Sequence, residues 1–134
     1  MQASLRRLAV DSIGVYQLHG GVSRAADAEG VVEVLEDQVA SGDIQAFGTS
    51  DDSPEVIEVY AAASHAVSVQ SQVNVFGRSD AVLAAARRHG LVVLARSPLA
   101  MGLLTDKYHD GDRPRRCPAR HAVVGLLFDA EAMP

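Results

Sequence analysis

Residues 91–108, LVVLARSPLAMGLLTDKY, decide the reading of the fold. Residues 91–95 form an unbroken apolar run between Gly90 and Ser97, as expected of a parallel strand covered on both faces. Arg96, Ser97 and Pro98 interrupt that run, and residues 99–104 continue with small side chains around Gly102. A buried strand that ends in a Ser-Pro-Gly loop sets polar groups and free backbone N–H at its carboxyl end. In α/β proteins, that is where ligands gather.

Working outward from this segment, the same unit recurs. Residues 79–90 read as a helix opened by Ser79 or Asp80, and Arg87, Arg88 and His89 suit its negative end before Gly90. Residues 67–73 alternate, with Val67, Val69, Ser71 and Val73 on one face and Ser68, Gln70 and Gln72 on the other. Ser53-Pro54 is an N-cap followed by proline at the first helical position, predicting a helix over 54–64. Residues 44–50 read as a strand. Ala28, Val31, Val32, Leu35 and Val39 mark one helical face, with Gly42 as the left-handed stop. Residues 11–20 give a further strand, with Ile13, Val15, Gln17 and His19 sharing a face. Residues 4–10 close a helix with Leu5 and Leu8 on one side and Arg6 and Arg7 on the other. Strands beginning near 13, 44, 67 and 91, alternating with helices, predict a parallel α/β sheet with right-handed crossovers. Residues 1–110 read as one domain. Residues 111–134, with clustered Arg and Pro and no clear period, read as an irregular tail.

Composition narrows the function. The chain has 134 residues, 48% of them hydrophobic, and a formal charge of −5, enough for a single core. The acidity and the lack of a basic stripe argue against nucleic acid. No apolar run approaches the ~18 residues of a membrane helix, and the opening MQASLRRLAV lacks the core of a signal peptide. Cys117 is the single cysteine, which points to a reducing cytoplasm. His65, His89, His109 and His121 show no ligand spacing with Cys117, so no metal is expected. No glycine-rich phosphate loop occurs.

Four segments, in order, resemble the aldo-keto reductases. SLRRLAVDSIGVYQLHG is similar to the family's SLKRLGVDYIDLYQLH, and SGDIQAFGTSDDSPEVI to EGKIRYIGVSNFSPEQL. VSVQSQVNVFGRSD resembles its VQxxYNLLxR segment, and the opening segment its VLAYSPLARGLLTGKY. The resemblance implies a partial (β/α)8 TIM barrel, a half-barrel of about four parallel βα units corresponding to strands four to seven. A whole barrel needs about 250 residues. It also implies NADP(H) as cofactor and a small-molecule carbonyl as substrate.

Residue by residue, His19 matches the histidine that hydrogen-bonds the substrate carbonyl; by itself it is a polar residue at a strand end. Ser50 and Asp51 match the Ser-Asn pair that holds the nicotinamide carboxamide. Asp51 in place of asparagine loses a donor and adds charge, and the same turn also caps a helix. Gln70 matches the glutamine that contacts the carboxamide. Arg96 stands where an aromatic often stacks on the nicotinamide; a guanidinium can stack too, but is repelled by the cationic oxidised ring. Ser97, Leu99 and Gly102 match the loop around the cofactor pyrophosphate. The family's catalytic tyrosine, lysine and aspartate come from strands that precede this stretch, and the one lysine here is Lys107. Two readings therefore stand: an aldo-keto reductase whose isolated piece is inactive, or a non-catalytic half-barrel that binds or supports. Open edges and an open inner face predict a homo-oligomer, or completion by another chain.

Overall fold

The computed structural model describes residues 1–20 and 24–106. They fall into two compact units, Met1–Pro98 and a second that begins at Leu99. The predicted tail, Lys107, His109, Cys117 and His121 lie outside the described residues.

The first unit alternates helix and strand: α1 (Gln2–Leu8), β1 (Ile13–His19), α2 (Ala25–Ala40), β2 (Ile44–Ser50), α3 (Pro54–Ala61), β3 (Ala66–Asn74), β4 (Gly77–Arg78), α4 (Asp80–His89) and β5 (Val92–Arg96). The helices begin and end where local chemistry dictates. Ser53 and Ser79 cap α3 and α4 through Val56 N–H and Val82 N–H, at 3.4 and 3.3 Å. Gly90 ends α4 with φ 69°, a left-handed turn at no steric cost to glycine. β1, β2, β3 and β5 are parallel neighbours in that order, the sheet that the strand–helix alternation predicts. One face packs on the helices. Ala28, Leu35, Ile44, Phe47, Val56 and Tyr60 make one core cluster, and Ile57, Val69, Val82, Ala85 and Ala86 a second. Each large side chain so buried contributes about 1.5–3 kcal/mol.

Four expectations are corrected. β5 is covered on one face only. Val93 packs against the second cluster while Val92 and Leu94 are 59% and 43% exposed, because alternate residues point to opposite faces and helices cover one of them. Arg96 does not interrupt the strand but closes it, opposite Gln72. Leu8 is exposed although Leu5 is buried; the helix ends at Leu8 and Ala9 turns the chain at φ 54°. α3 stops at Ala61, three residues short of the expected end, and Glu36 of α2 then binds His65 through its N–H at 3.2 Å and its ring at 2.5 Å. The sequence reading also lacked β4. Asn74 Oδ1 accepts from Phe76 N–H and Gly77 N–H at 3.0 and 3.2 Å, and this turn folds β4 back antiparallel onto β3.

Candidate functional site

The register of the sheet decides which polar side chains become neighbours. β2 pairs with β3 as Phe47↔Ala66 and then as Gly48↔Ser68, so one residue of β3 is skipped. Without that bulge Ser50 would stand opposite Val69, whose side chain belongs to the helix-packed face. With it, Ser50 stands opposite Gln70, and every residue beyond the bulge exchanges faces. His19 lies opposite Ser50, and Gln70 opposite Leu94. His19, Ser50, Gln70 and Leu94 therefore form one row across the inner face, at the last residues of β1 and β2 and within β3 and β5. Gln72 and Arg96 make a pair one step further out.

Gly48 sits one layer below this row, opposite Gln17 and Ser68. A Cβ there would meet Ser68 Oγ, the Ser68 carbonyl oxygen at 2.5 Å and Gln17 Nε2 at 2.6 Å. Gln17 Nε2 donates to Ser68 Oγ across the gap that the missing side chain leaves. His19 is exposed, Gln70 half-buried and Ser50 buried.

Arg96 reaches from β5 across this end of the sheet. Its Nη1 donates to Ser50 Oγ at 3.2 Å and its Nη2 to Asp52. Asp52 Oδ1 in turn accepts from Ser71 Oγ at 2.8 Å and Gln72 N–H at 3.0 Å. Partial burial would raise the Asp52 carboxyl. The Gln72 N–H, the Ser71 hydroxyl and the Arg96 charge outweigh it and hold the group below its ordinary value. The carboxylate is thus ionised at neutral pH, and Arg96 and Asp52 form a fixed pair. Asp52 was not singled out by the sequence reading. Its signal was an acid in the β2–α3 turn complementary to the single arginine at the end of β5.

Asp51 serves the turn: its Oδ1 accepts from Ser53 N–H at 2.8 Å, ahead of the α3 cap. Ser97 adopts φ 52°, a left-handed conformation uncommon for a residue with a Cβ, and its carbonyl accepts from Asn74 Nδ2 at 3.0 Å. In the second unit Leu99 is exposed, and residues Ala100–Gly102 form a 3₁₀ turn in which Gly102 has φ 98°. Gly102 N–H donates to Leu99 O at 2.8 Å, so in this conformation it is not offered to a phosphate. The structure therefore brings His19, Ser50, Gln70 and Arg96 together, while Asp51 and Gly102 are engaged within their own turns.

The other titratable groups play structural parts. Tyr60 is 1% exposed in the first core cluster, and its hydroxyl has no aligned hydrogen-bond partner. Burial pushes its phenol up; the nearby Thr49 hydroxyl opposes this and the Asp51 charge adds to it. Tyr16 also packs against that cluster, on the helix side of the sheet. Glu58 takes Arg88 and His89 of α4, the latter at 2.8 Å. A groove of about 570 Å³ lined by Val32, Val59 and Ala62 lies in the helical layer. Among the described residues no helix is long and apolar enough to cross a membrane.

The sequence model of the Aldo/keto reductase family matches residues 1–126. The uncharacterized oxidoreductase YqkF of Bacillus subtilis is 37% identical over 108 residues, covering 80% of this chain and 35% of that protein. The aldo-keto reductase AKR11C1 from Bacillus halodurans, in its holo form, superposes with a TM-score of 0.72 at 33% identity, over 84% of this chain and 39% of that one. An aldo/keto reductase from Klebsiella pneumoniae, solved in complex with NADP and acetate, gives 0.65 at 28% identity, over 83% and 41%. The chain spans about a third of the length of the curated relatives it matches. Its four parallel βα units are part of a (β/α)8 barrel.

Proposed function

Because the chain belongs to the aldo/keto reductase family, we propose that its polar row forms the carbonyl and nicotinamide side of an NADP(H)-dependent oxidoreductase site. One observation carries the reading: His19 and Ser50 end two adjacent parallel strands and Gln70 is their register neighbour on the third, on the side where barrel enzymes bind their ligands. The donor set fits a nicotinamide carboxamide. Ser50 Oγ accepts from Arg96, which leaves its own proton to donate, and the Gln70 amide offers both a donor and an acceptor. Bound NADPH supplies hydride to a carbonyl carbon. His19, exposed at the end of β1, donates to the carbonyl oxygen and orients it. Ser97, Leu99 and Gly102 are assigned to the pyrophosphate by the family resemblance alone, and Gly102 would first have to release its N–H from Leu99 O. The K. pneumoniae complex with NADP supports this choice of cofactor.

A second reading applies to the chain by itself, binding without turnover. Carbonyl reduction needs an acid placed on the developing alkoxide, typically about 10²–10⁴ in rate. Among the described residues the tyrosines are Tyr16 and Tyr60, both on the helix side of the sheet. Completion by a second copy or by another chain covers the inner face, and a different chain that carries the missing strands also supplies the acid. The setting is a reducing cytoplasm, in keeping with the lone Cys117. NADPH titration followed by amide chemical shifts tests the reading. Perturbation is expected at His19, Ser50, Gln70 and Arg96, with aldehyde-dependent NADPH oxidation near background. Shifts confined to the amino ends of the strands would refute the site. Enzyme-like turnover lost on His19→Ala would refute the absence of an acid.

A further inference from the structure

We propose that Asp52 is the counter-ion that sets the charge at the nicotinamide end of this site, and with it the preference between oxidised and reduced cofactor. The inference rests on the cofactor reading above. Asp52 stands in the turn between β2 and α3 and leans over the carboxyl end of β3. Ser71 Oγ and Gln72 N–H hold its Oδ1 from that strand, at 2.8 and 3.0 Å, so the carboxylate is oriented without help from Arg96. Its second oxygen is then left for Arg96 Nη2, and Arg96 Nη1 reaches Ser50 Oγ. One guanidinium therefore bridges the counter-ion and the hydroxyl assigned to the carboxamide. Arg96 cannot lose its charge at any working pH. Its Nη1 stands within a hydrogen bond of Ser50 Oγ, at 3.2 Å.

The two forms of the cofactor differ in the ring itself. The oxidised nicotinamide carries a positive charge and the reduced one carries none. Alone, Arg96 would penalise the oxidised ring and leave the reduced ring unaffected. Paired with Asp52, its charge is offset, so that the pair itself favours neither form. The two side chains are 33% and 46% exposed, so solvent screens the pair and the effect is that of a surface charge. Across one ring's breadth this amounts to about three- to tenfold in affinity. A brace that merely stiffened the turn would weaken both forms alike, and this separates the two roles.

The experiment measures dissociation constants on the full chain, with NADPH followed by its fluorescence and NADP⁺ by displacement of bound NADPH. Asp52→Asn is expected to raise the ratio of the NADP⁺ constant to the NADPH constant about three- to tenfold, less at high salt. Asp52→Glu returns the ratio toward the parent. Arg96→Gln, which leaves the Asp52 contacts to β3 in place, moves it the other way, because an uncompensated anion favours the oxidised ring. In Asp52→Asn/Arg96→Gln the ratio returns to the parent value. Equal weakening of both forms by Asp52→Asn, or an unmoved ratio in Arg96→Gln, overturns the proposal and leaves the cofactor reading standing. If the parent chain binds neither form, the cofactor reading itself falls and takes this one with it.

Discussion

Gly48→Ala tests whether the register of the sheet, and not only the identity of its polar side chains, builds the site. The backbone of Gly48 is not in a left-handed conformation, so the argument is one of space alone. The added methyl would stand against Ser68 Oγ, 2.5 Å from the Ser68 carbonyl oxygen and 2.6 Å from Gln17 Nε2. The hydroxyl and the amide can swing aside. The carbonyl cannot, because it belongs to the backbone of β3 beside the bulge that aligns Ser50 with Gln70. Forcing a methyl into such a gap costs about 1–3 kcal/mol, and a backbone obstacle places this substitution at the upper end. For a unit of this size each kcal/mol is worth about 4–8 °C, so a fall of about 10–20 °C in Tm is expected. Circular dichroism melts of Gly48→Ala and of Gly48→Ala/Ser68→Ala measure it. The second variant removes the hydroxyl and keeps the carbonyl, so it should recover less than half of the loss. A Tm within about 3 °C of the parent, or full recovery in the double variant, would show that the strands separate freely and that the close approach does not fix the register.

Ser53→Ala removes the α3 cap and is expected to cost about 1 kcal/mol, with Ser79→Ala costing a similar amount at α4; urea unfolding of each variant checks this. Acid should unfold the chain through Glu36 and Asp52. Burial acts to raise both, but His65 in one case, and Gln72, Ser71 and Arg96 in the other, hold them below the ordinary carboxylate value. Their stabilisation is complete above about pH 5 and is lost as the pH falls through the lowered values, so Glu36→Gln and Asp52→Asn should each flatten the pH–stability curve below that point. Val15, Val92 and Leu94 are 47%, 59% and 43% exposed, and β1 and β5 each pair on one side only among the described residues, so sedimentation at micromolar concentration should show a dimer or larger species; a sharp monomer with cooperative unfolding counts against this.

The legible parts of the fold were those written in local chemistry. Ser53-Pro54, Ser79 and Gly90 each carry their geometry in one or two residues, and the α3 and α4 boundaries they set were read correctly, save for the C-terminus of α3. That helix ends at Ala61, where nothing in the sequence breaks the helical pattern, and the chain turns so that His65 meets Glu36, 29 residues away. Strand order followed from alternation, but the β2–β3 bulge did not, because a skipped residue leaves the apolar pattern on either side intact. The same limit hid Asp52. Next to Asp51 it reads as a second turn acid, and only the fold brings Arg96, 44 residues on, to its free oxygen. His19, Ser50, Gln70 and Arg96 were found through family likeness, whereas their adjacency comes from register.

The two faces of the sheet are held by different means, which separates binding from turnover. On the helix face, Phe47, Val69 and their neighbours are buried, and their removal would open cavities in the core. On the inner face Ser50 and the layers on either side of its row are tied by polar contacts within the chain. Gln17 meets Ser68 over Gly48, Arg96 meets Ser50, and Asp52 ties Arg96 to Ser71 and the β3 backbone. The Asp52 carboxylate, with a partner on each oxygen, stays ordered under partial exposure, where an apolar patch would shift or seek cover; Gln17 Oε1, by contrast, is buried without a partner. The spacing of Ser50, Asp52 and Arg96 therefore does not depend on what covers the apolar part of the inner face. What does depend on it is the exclusion of water and the supply of an acid, the two things that reduction needs beyond recognition. On the cofactor reading proposed above, substitutions in this network should therefore alter NADP(H) affinity independently of turnover, which ligand titration and an aldehyde assay on the same variants would separate.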